Sequence, residues 1–257
     1  MRNFKLILQY EGTRYQGWQR QESTDNTIQG RLEALLSKMT GQETLVQGSG
    51  RTDAGVHALA QTANFHADTE MSCAEILSYM NRYLPEDIGV LSVEEVPERF
   101  HSRLNAVGKT YQYRVLTSPL PHVFDRRYVY PFLQPLDLEA MQRGSRYLIG
   151  THDFQAFTSA KKGKKSTVRT IEEIDIARVG DEIRFTYSGN GFLYHAVRIL
   201  TGTLLAVGTG EKKPEDVLTI MEEGLRKNAG ELVPAKGLTL MEVRYHDRSF
   251  YEKMGNW

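Results

Sequence analysis

Strand and helix periods alternate irregularly along this chain, and hairpin signals are mixed in with crossovers. Phe4, Leu6 and Leu8 alternate with polar neighbours at a strand's period of two. Ile28, Leu32, Leu35, Leu36 and Met39 then recur at helical spacing, with Gly41 placed to cap them. Strands are expected at Thr44–Gln47, Leu59–His66 and Ile88–Val96. Ser72-Cys73-Ala74-Glu75 reads as a capping box, because the serine and the glutamate three residues on satisfy each other's helix-start donors. The helix that follows should stop before Pro85.

The same grammar returns later in the chain. Tyr111, Tyr113 and Val115 alternate with Gln112 and Arg114 over Thr110–Leu116, and Asp137 is placed to start a helix. Gly180-Asp181 reads as the turn between strands at Val168–Val179 and Glu182–Tyr187. Helices are expected over Phe192–Val207 and Pro214–Glu223, and a closing strand over Leu238–Tyr245. Such irregular alternation predicts an α+β protein with a mainly antiparallel sheet, not a doubly wound parallel one. It also predicts two similar halves, 1–105 and 106–257, joined near Asn105.

Charge names no partner, since 32 Lys and Arg balance 32 Asp and Glu. The basic excess is local. Lys161 to Arg169 carries five positive charges and no acid, which makes it either a solvated loop or a contact for nucleic-acid phosphates. The single cysteine, Cys73, excludes an internal disulfide and a thiolate metal cluster. No run approaches the ~18 apolar residues of a membrane span. The start, Met1-Arg2-Asn3-Phe4, lacks the pattern of a secretory leader. A cytoplasmic protein is expected.

Candidate chemistry concentrates in Gly48-Ser49-Gly50-Arg51-Thr52-Asp53-Ala54-Gly55-Val56-His57-Ala58. Three glycines in eight residues mark a backbone that turns tightly. The spacing fits neither a dinucleotide fingerprint nor a P-loop. The loop presents one carboxylate, Asp53, flanked by Arg51 and His57. It is either an aspartate bonding its own turn or a reactive group. Arg198 is the second candidate. It lies on an apolar stretch with no acid between Gly191 and Gly210, so it either snorkels to solvent or pairs with a distant carboxylate. Pairing with Asp53 would keep that carboxylate ionised. Tyr111 and Tyr113 share a strand face and read as core or as a platform for a nucleobase. The histidines show no metal-ligand spacing, and no nucleophile elbow is present.

Gly50-Arg51-Thr52-Asp53-Ala54-Gly55-Val56-His57-Ala58 resembles the catalytic motif of the TruA-type tRNA pseudouridine synthases (the tRNA pseudouridine synthase A family). Further matches follow in family order. They are Asn64-Phe65, Phe100-His101-Ser102-Arg103, Lys109 to Arg114, His152 to Phe157, Gly191 to Tyr194 with Val197-Arg198-Ile199, Gly202 to Gly208, and Pro234 to Leu238.

The resemblance spans essentially the whole chain. It implies two halves around a continuous mixed sheet with a central active-site cleft, and a homodimer. It also implies isomerisation of uridine in the tRNA anticodon arm without a cofactor. By motif, Asp53 resembles the nucleophile, Tyr111 the tyrosine stacked on the target uracil, and Arg198 the partner of the aspartate. Arg51 resembles the arginine that helps hold the flipped-out nucleotide's place, and Leu238 the apolar residue beneath the site. The chain departs from the common family pattern at His195-Ala196 and at Glu231-Leu232-Val233. Rival readings keep the chemistry on another RNA such as ribosomal RNA, or make the chain a non-catalytic RNA-binding paralogue.

Overall fold

A computed structural model describes residues 1–161, 163 and 166–247. The main elements run β1 (Arg2–Tyr10), α1 (Ile28–Thr40), β2 (Val46–Gly48), β3 (His57–Ala67), α2 (Cys73–Tyr83), β4 (Ile88–Val96), β5 (Ala106–Leu116), β6 (Tyr130–Pro131), α3 (Leu138–Arg146), β7 (Gly150–Asp153), β8 (Val168–Val179), β9 (Glu182–Gly189), α4 (Ala196–Gly208), α5 (Asp216–Glu223) and β10 (Leu238–Tyr245). This is an α+β protein with mixed, mainly antiparallel pairing. Strand β5 pairs with β6 in parallel.

The chain divides into two compact units. One comprises Met1–Val107 with the chain from Leu240 onward, and the other Gly108–Thr239. In the first, the strand order is β4-β1-β3-β10, with β2 also paired to β3. Phe4, Leu6 and Leu8 of β1 are fully buried, as are Leu32 and Leu36 of α1 and Ile76 and Met80 of α2. Burying each large side chain of this kind contributes about 1.5–3 kcal/mol. Phe4 stacks on Phe65 of β3 at 5.3 Å between ring centroids. The returning strand is tied in by its end, where the Tyr245 hydroxyl donates to the Ser102 carbonyl at 2.5 Å. The Tyr245 ring lies 5.5 Å from that of Phe100. These contacts lie within the first unit, to which the strand belongs from Leu240 on.

Local chemistry sets many element ends. The Ser72–Glu75 capping box is formed, and its hydrogen bonds hold the Glu75 carboxyl below its ordinary value. Thr27 and Asp137 cap α1 and α3 through their side chains.

The second unit has strand order β5-β9-β8-β7, with α3 lying against α4 and β8. Register places Arg114 of β5 directly opposite Arg184 of β9. Glu182 resolves that like-charge pair. It accepts from Arg114 Nε at 2.9 Å and Nη2 at 2.5 Å, and from Arg184 Nε at 3.0 Å. Burial pushes the Glu182 carboxyl up, but the two arginines outweigh this and hold it below its ordinary 4.5. A depressed carboxylate contributes stability that is complete above its unfolded value and is lost as pH falls through its folded value. Glu182→Gln should therefore flatten the fall in Tm between about pH 5 and about pH 3. A slope identical to that of the unmodified protein would refute this linkage.

One expected helix starts late. The sequence predicts a helix from Phe192, but α4 begins at Ala196. The Tyr194 carbonyl is taken by the Thr158 hydroxyl at 2.9 Å and the Ser159 amide at 3.3 Å, and His195 adopts a left-handed backbone, φ 65. Helical bonding therefore starts only with the Ile199 amide on the His195 carbonyl, at 3.0 Å. The short strands β6 and β7 pair with β5 and β8.

Candidate active site

In the first unit, Asp53 sits half-buried on the loop between β2 and β3. Its carbonyl accepts from the Val56 amide at 3.2 Å, closing a four-residue turn. Gly55 holds the third place of that turn at φ 78, the left-handed value a type II turn requires there. The main chain of the aspartate thus forms the turn.

A second polar loop braces the first. The Trp18 amide donates to the Thr52 carbonyl at 3.0 Å, and the Gly55 amide to the Tyr15 carbonyl at 3.4 Å. The Trp18 indole covers Gly48 so closely that a Cβ there would collide with it. His57 is buried, and its Nδ1 accepts from the Gly12 amide at 3.0 Å. The imidazole thus helps fix the loop. Arg51 is exposed.

Beneath the loop runs a buried polar chain that sequence reading missed. The Ser49 hydroxyl donates to Gln61 Oε1 at 2.6 Å, and Gln61 Nε2 donates to the Gly50 carbonyl at 3.1 Å and to the Tyr10 hydroxyl at 3.4 Å. Tyr10 and Thr52 share a hydroxyl–hydroxyl bond of 2.8 Å. A Cβ at Gly12 or Gly17 would collide with loop backbone, at Val56 or at Thr52.

In the second unit, Tyr111 and Tyr113 of β5 share a face but differ in setting. Tyr113 is wholly buried, and its hydroxyl donates to the Pro234 carbonyl at 2.7 Å. Burial also pushes that hydroxyl's pKa well up. Tyr113 is core. Tyr111 retains 8% exposure and meets Phe192 edge-on, with centroids 5.4 Å apart and an interplanar angle of 87°.

Every residue of α4 is buried except Arg198, which is half-buried and donates from Nε to the Val233 carbonyl at 2.8 Å. The segment carrying Val233 is laced to α4 by the Gly230 amide on the Thr203 hydroxyl, at 2.8 Å. Leu238 is buried at the start of β10. His195, one of the two departures, occupies the left-handed position ahead of α4 and stacks on Tyr194 at 3.7 Å. Asn and His are among the side chains that tolerate this backbone best. Of the basic segment, Lys162, Lys164 and Lys165 lie outside the described residues. No helix among the described residues is long and apolar enough to cross a membrane.

A model of the tRNA pseudouridine synthase family matches residues 6–105 and 145–246. Asp53, Arg51, Arg198 and Leu238 fall inside the matched segments, and Tyr111 falls between them. A protein named tRNA pseudouridine synthase A from Bacillus sp. (strain KSM-64) is 46% identical over 245 residues, covering 95% of this chain and 100% of that one. The protein of that name from Clostridium kluyveri is also 46% identical, with the same coverage. Clostridium tetani has a relative named tRNA pseudouridine synthase A 2, which is 45% identical over 95% of this chain and 99% of its own length.

Proposed function

The chain belongs to the tRNA pseudouridine synthase family, and from that membership we propose that it isomerises uridine to pseudouridine in the anticodon stem-loop of tRNA. The observation that carries this reading is Asp53, set on a glycine turn that a second loop braces. In the proposed reaction the bond from ribose C1′ to uracil N1 breaks, the ring turns, and C1′ rejoins at C5. A proton leaves C5 and one is gained at N1, so the product is an isomer and no co-reactant is consumed. Asp53 serves as the nucleophile, Arg198 as the positive charge that keeps it ionised, and Tyr111 as the wall on which the extruded uracil stacks. Arg51 helps hold the place the nucleotide vacates, and Leu238 packs beneath the base. We further assign it to the cytoplasm and to a homodimer, in line with the family resemblance.

The test is a map of pseudouridine in total RNA from cells with and without the gene. Anticodon-arm positions should lose the modification when the gene is removed. Loss confined to ribosomal RNA would move the substrate while keeping the chemistry. No loss in any RNA would refute the enzymatic reading.

A further inference from the structure

Three buried polar side chains meet under the Asp53 loop from three different places in the first unit. Tyr10 ends β1, Gln61 lies in β3, and Thr52 immediately precedes Asp53. Tyr10 is 4% exposed, Thr52 6% and Gln61 0%. Apolar residues would fill this space without the cost of burying hydroxyl and amide groups. A fully satisfied buried network instead specifies one geometry.

The ladder is adapted to make it. Pairing of β1 with β3 runs in register from Arg2 to Leu8, which faces Gln61. It then slips, so that Tyr10 faces Ala58. Irregularities of this kind re-aim a side chain, and they concentrate beside active sites.

The direction of the bonds follows from the donors. Gln61 Oε1 receives the Ser49 proton, which leaves Nε2 to donate to the Gly50 carbonyl and to the Tyr10 oxygen. Either hydroxyl can donate across the Tyr10–Thr52 bond, and donation by Tyr10 gives its proton a partner while its oxygen accepts from Gln61. Burial pushes the Tyr10 hydroxyl up to about 12, so it stays protonated and a donor through the neutral range. Thr52 is held twice, by Tyr10 at its side chain and by the Trp18 amide at its carbonyl. Its Cα is about 3.8 Å from that of Asp53, as in any trans peptide.

We infer that Tyr10 and Gln61 are positioning residues for the isomerisation, which fix Thr52 and, through it, the placement of the Asp53 carboxylate. This rests on the reading of Asp53 as nucleophile. A reacting group displaced by about 1 Å can lose about a hundredfold in rate. The network acts on the chemical step and leaves RNA binding alone.

Single-turnover rates at saturating anticodon-arm RNA, RNA affinity and Tm should be measured for Tyr10→Phe, Thr52→Val, Thr52→Ser, the Tyr10→Phe/Thr52→Val double variant, and Asp53→Asn. Tyr10→Phe and Thr52→Val should each slow the reaction about ten- to a hundredfold per folded enzyme. RNA affinity should stay within about twofold, since the interaction lost is not one made with bound RNA. Thr52→Ser keeps the acceptor and should restore most of the rate. The double variant should be no slower than the slower single, because both changes break the same bond.

Unchanged rates with only a lowered Tm would make the network purely structural and overturn the inference, as would rate losses that simply multiply in the double variant. If Tyr10→Phe does not fold, Thr52→Val against Thr52→Ser reads the same hydrogen bond. Full turnover by Asp53→Asn would refute the underlying reading instead, whatever the other variants do.

Discussion

Asp53→Asn should abolish pseudouridine formation while leaving the protein folded and able to bind much of its RNA. The exchange is nearly isosteric and removes charge and nucleophilicity. The turn that presents the residue is made by main-chain atoms, the Asp53 carbonyl on the Val56 amide, and asparagine preserves it. The bracing of the loop by Trp18, Tyr15 and the Gly12–His57 bond is likewise independent of the carboxylate. Losing a covalent nucleophile removes the chemistry that the rest of the site only assists. The single-turnover rate should fall at least about a thousandfold. Thermal melting and RNA binding, measured on the same preparation, separate this loss from misfolding. Turnover close to that of the unmodified protein would end the mechanism.

The second large effect is expected at Tyr111. It is buried, with 8% exposure, and Phe192 meets its ring edge-on. Tyr111→Phe retains the ring and should bind RNA almost normally, so any fall in rate reports a role for the hydroxyl. Tyr111→Ala removes the wall. Stacking of a base on an aromatic side chain is worth about 1–3 kcal/mol, so affinity for the anticodon arm should drop about five- to 150-fold. Equal binding by the two variants would exclude a stacking role. The neighbouring Tyr113 should behave differently, because its ring is enclosed and its hydroxyl is committed to the Pro234 carbonyl. Truncation there is a loss of core packing, read in Tm first.

Much of the fold was legible wherever a few adjacent residues settle their own hydrogen bonds. The Ser72–Glu75 box, the Asp137 cap, Gly41 in the left-handed region at φ 72, and the turn at Gly180-Asp181 all stand where the residue types put them. The strands at Ile88–Val96, Val168–Val179 and Leu238–Tyr245 begin and end where the sequence placed them. Asp53, Arg198 and Tyr111 could be singled out for the same kind of reason. A lone acid among glycines, a lone cation on an apolar helix and a tyrosine pair on one strand face are each anomalous within their own neighbourhoods.

Tertiary structure alone decided what depends on partners remote in sequence. The start of α4 moved to Ala196 because Thr158 and Ser159 claim the Tyr194 carbonyl. Tyr113 is wholly enclosed with its hydroxyl on the Pro234 carbonyl, while Tyr111 keeps 8% exposure beside Phe192. The Tyr10–Thr52–Gln61 network joins residues that share no period or motif, and a slip in the β1–β3 ladder brings them together. A hydrophobic period records which face of an element is buried. It carries no record of which buried hydroxyl will find which amide, because that choice is made by the register between strands distant in the chain.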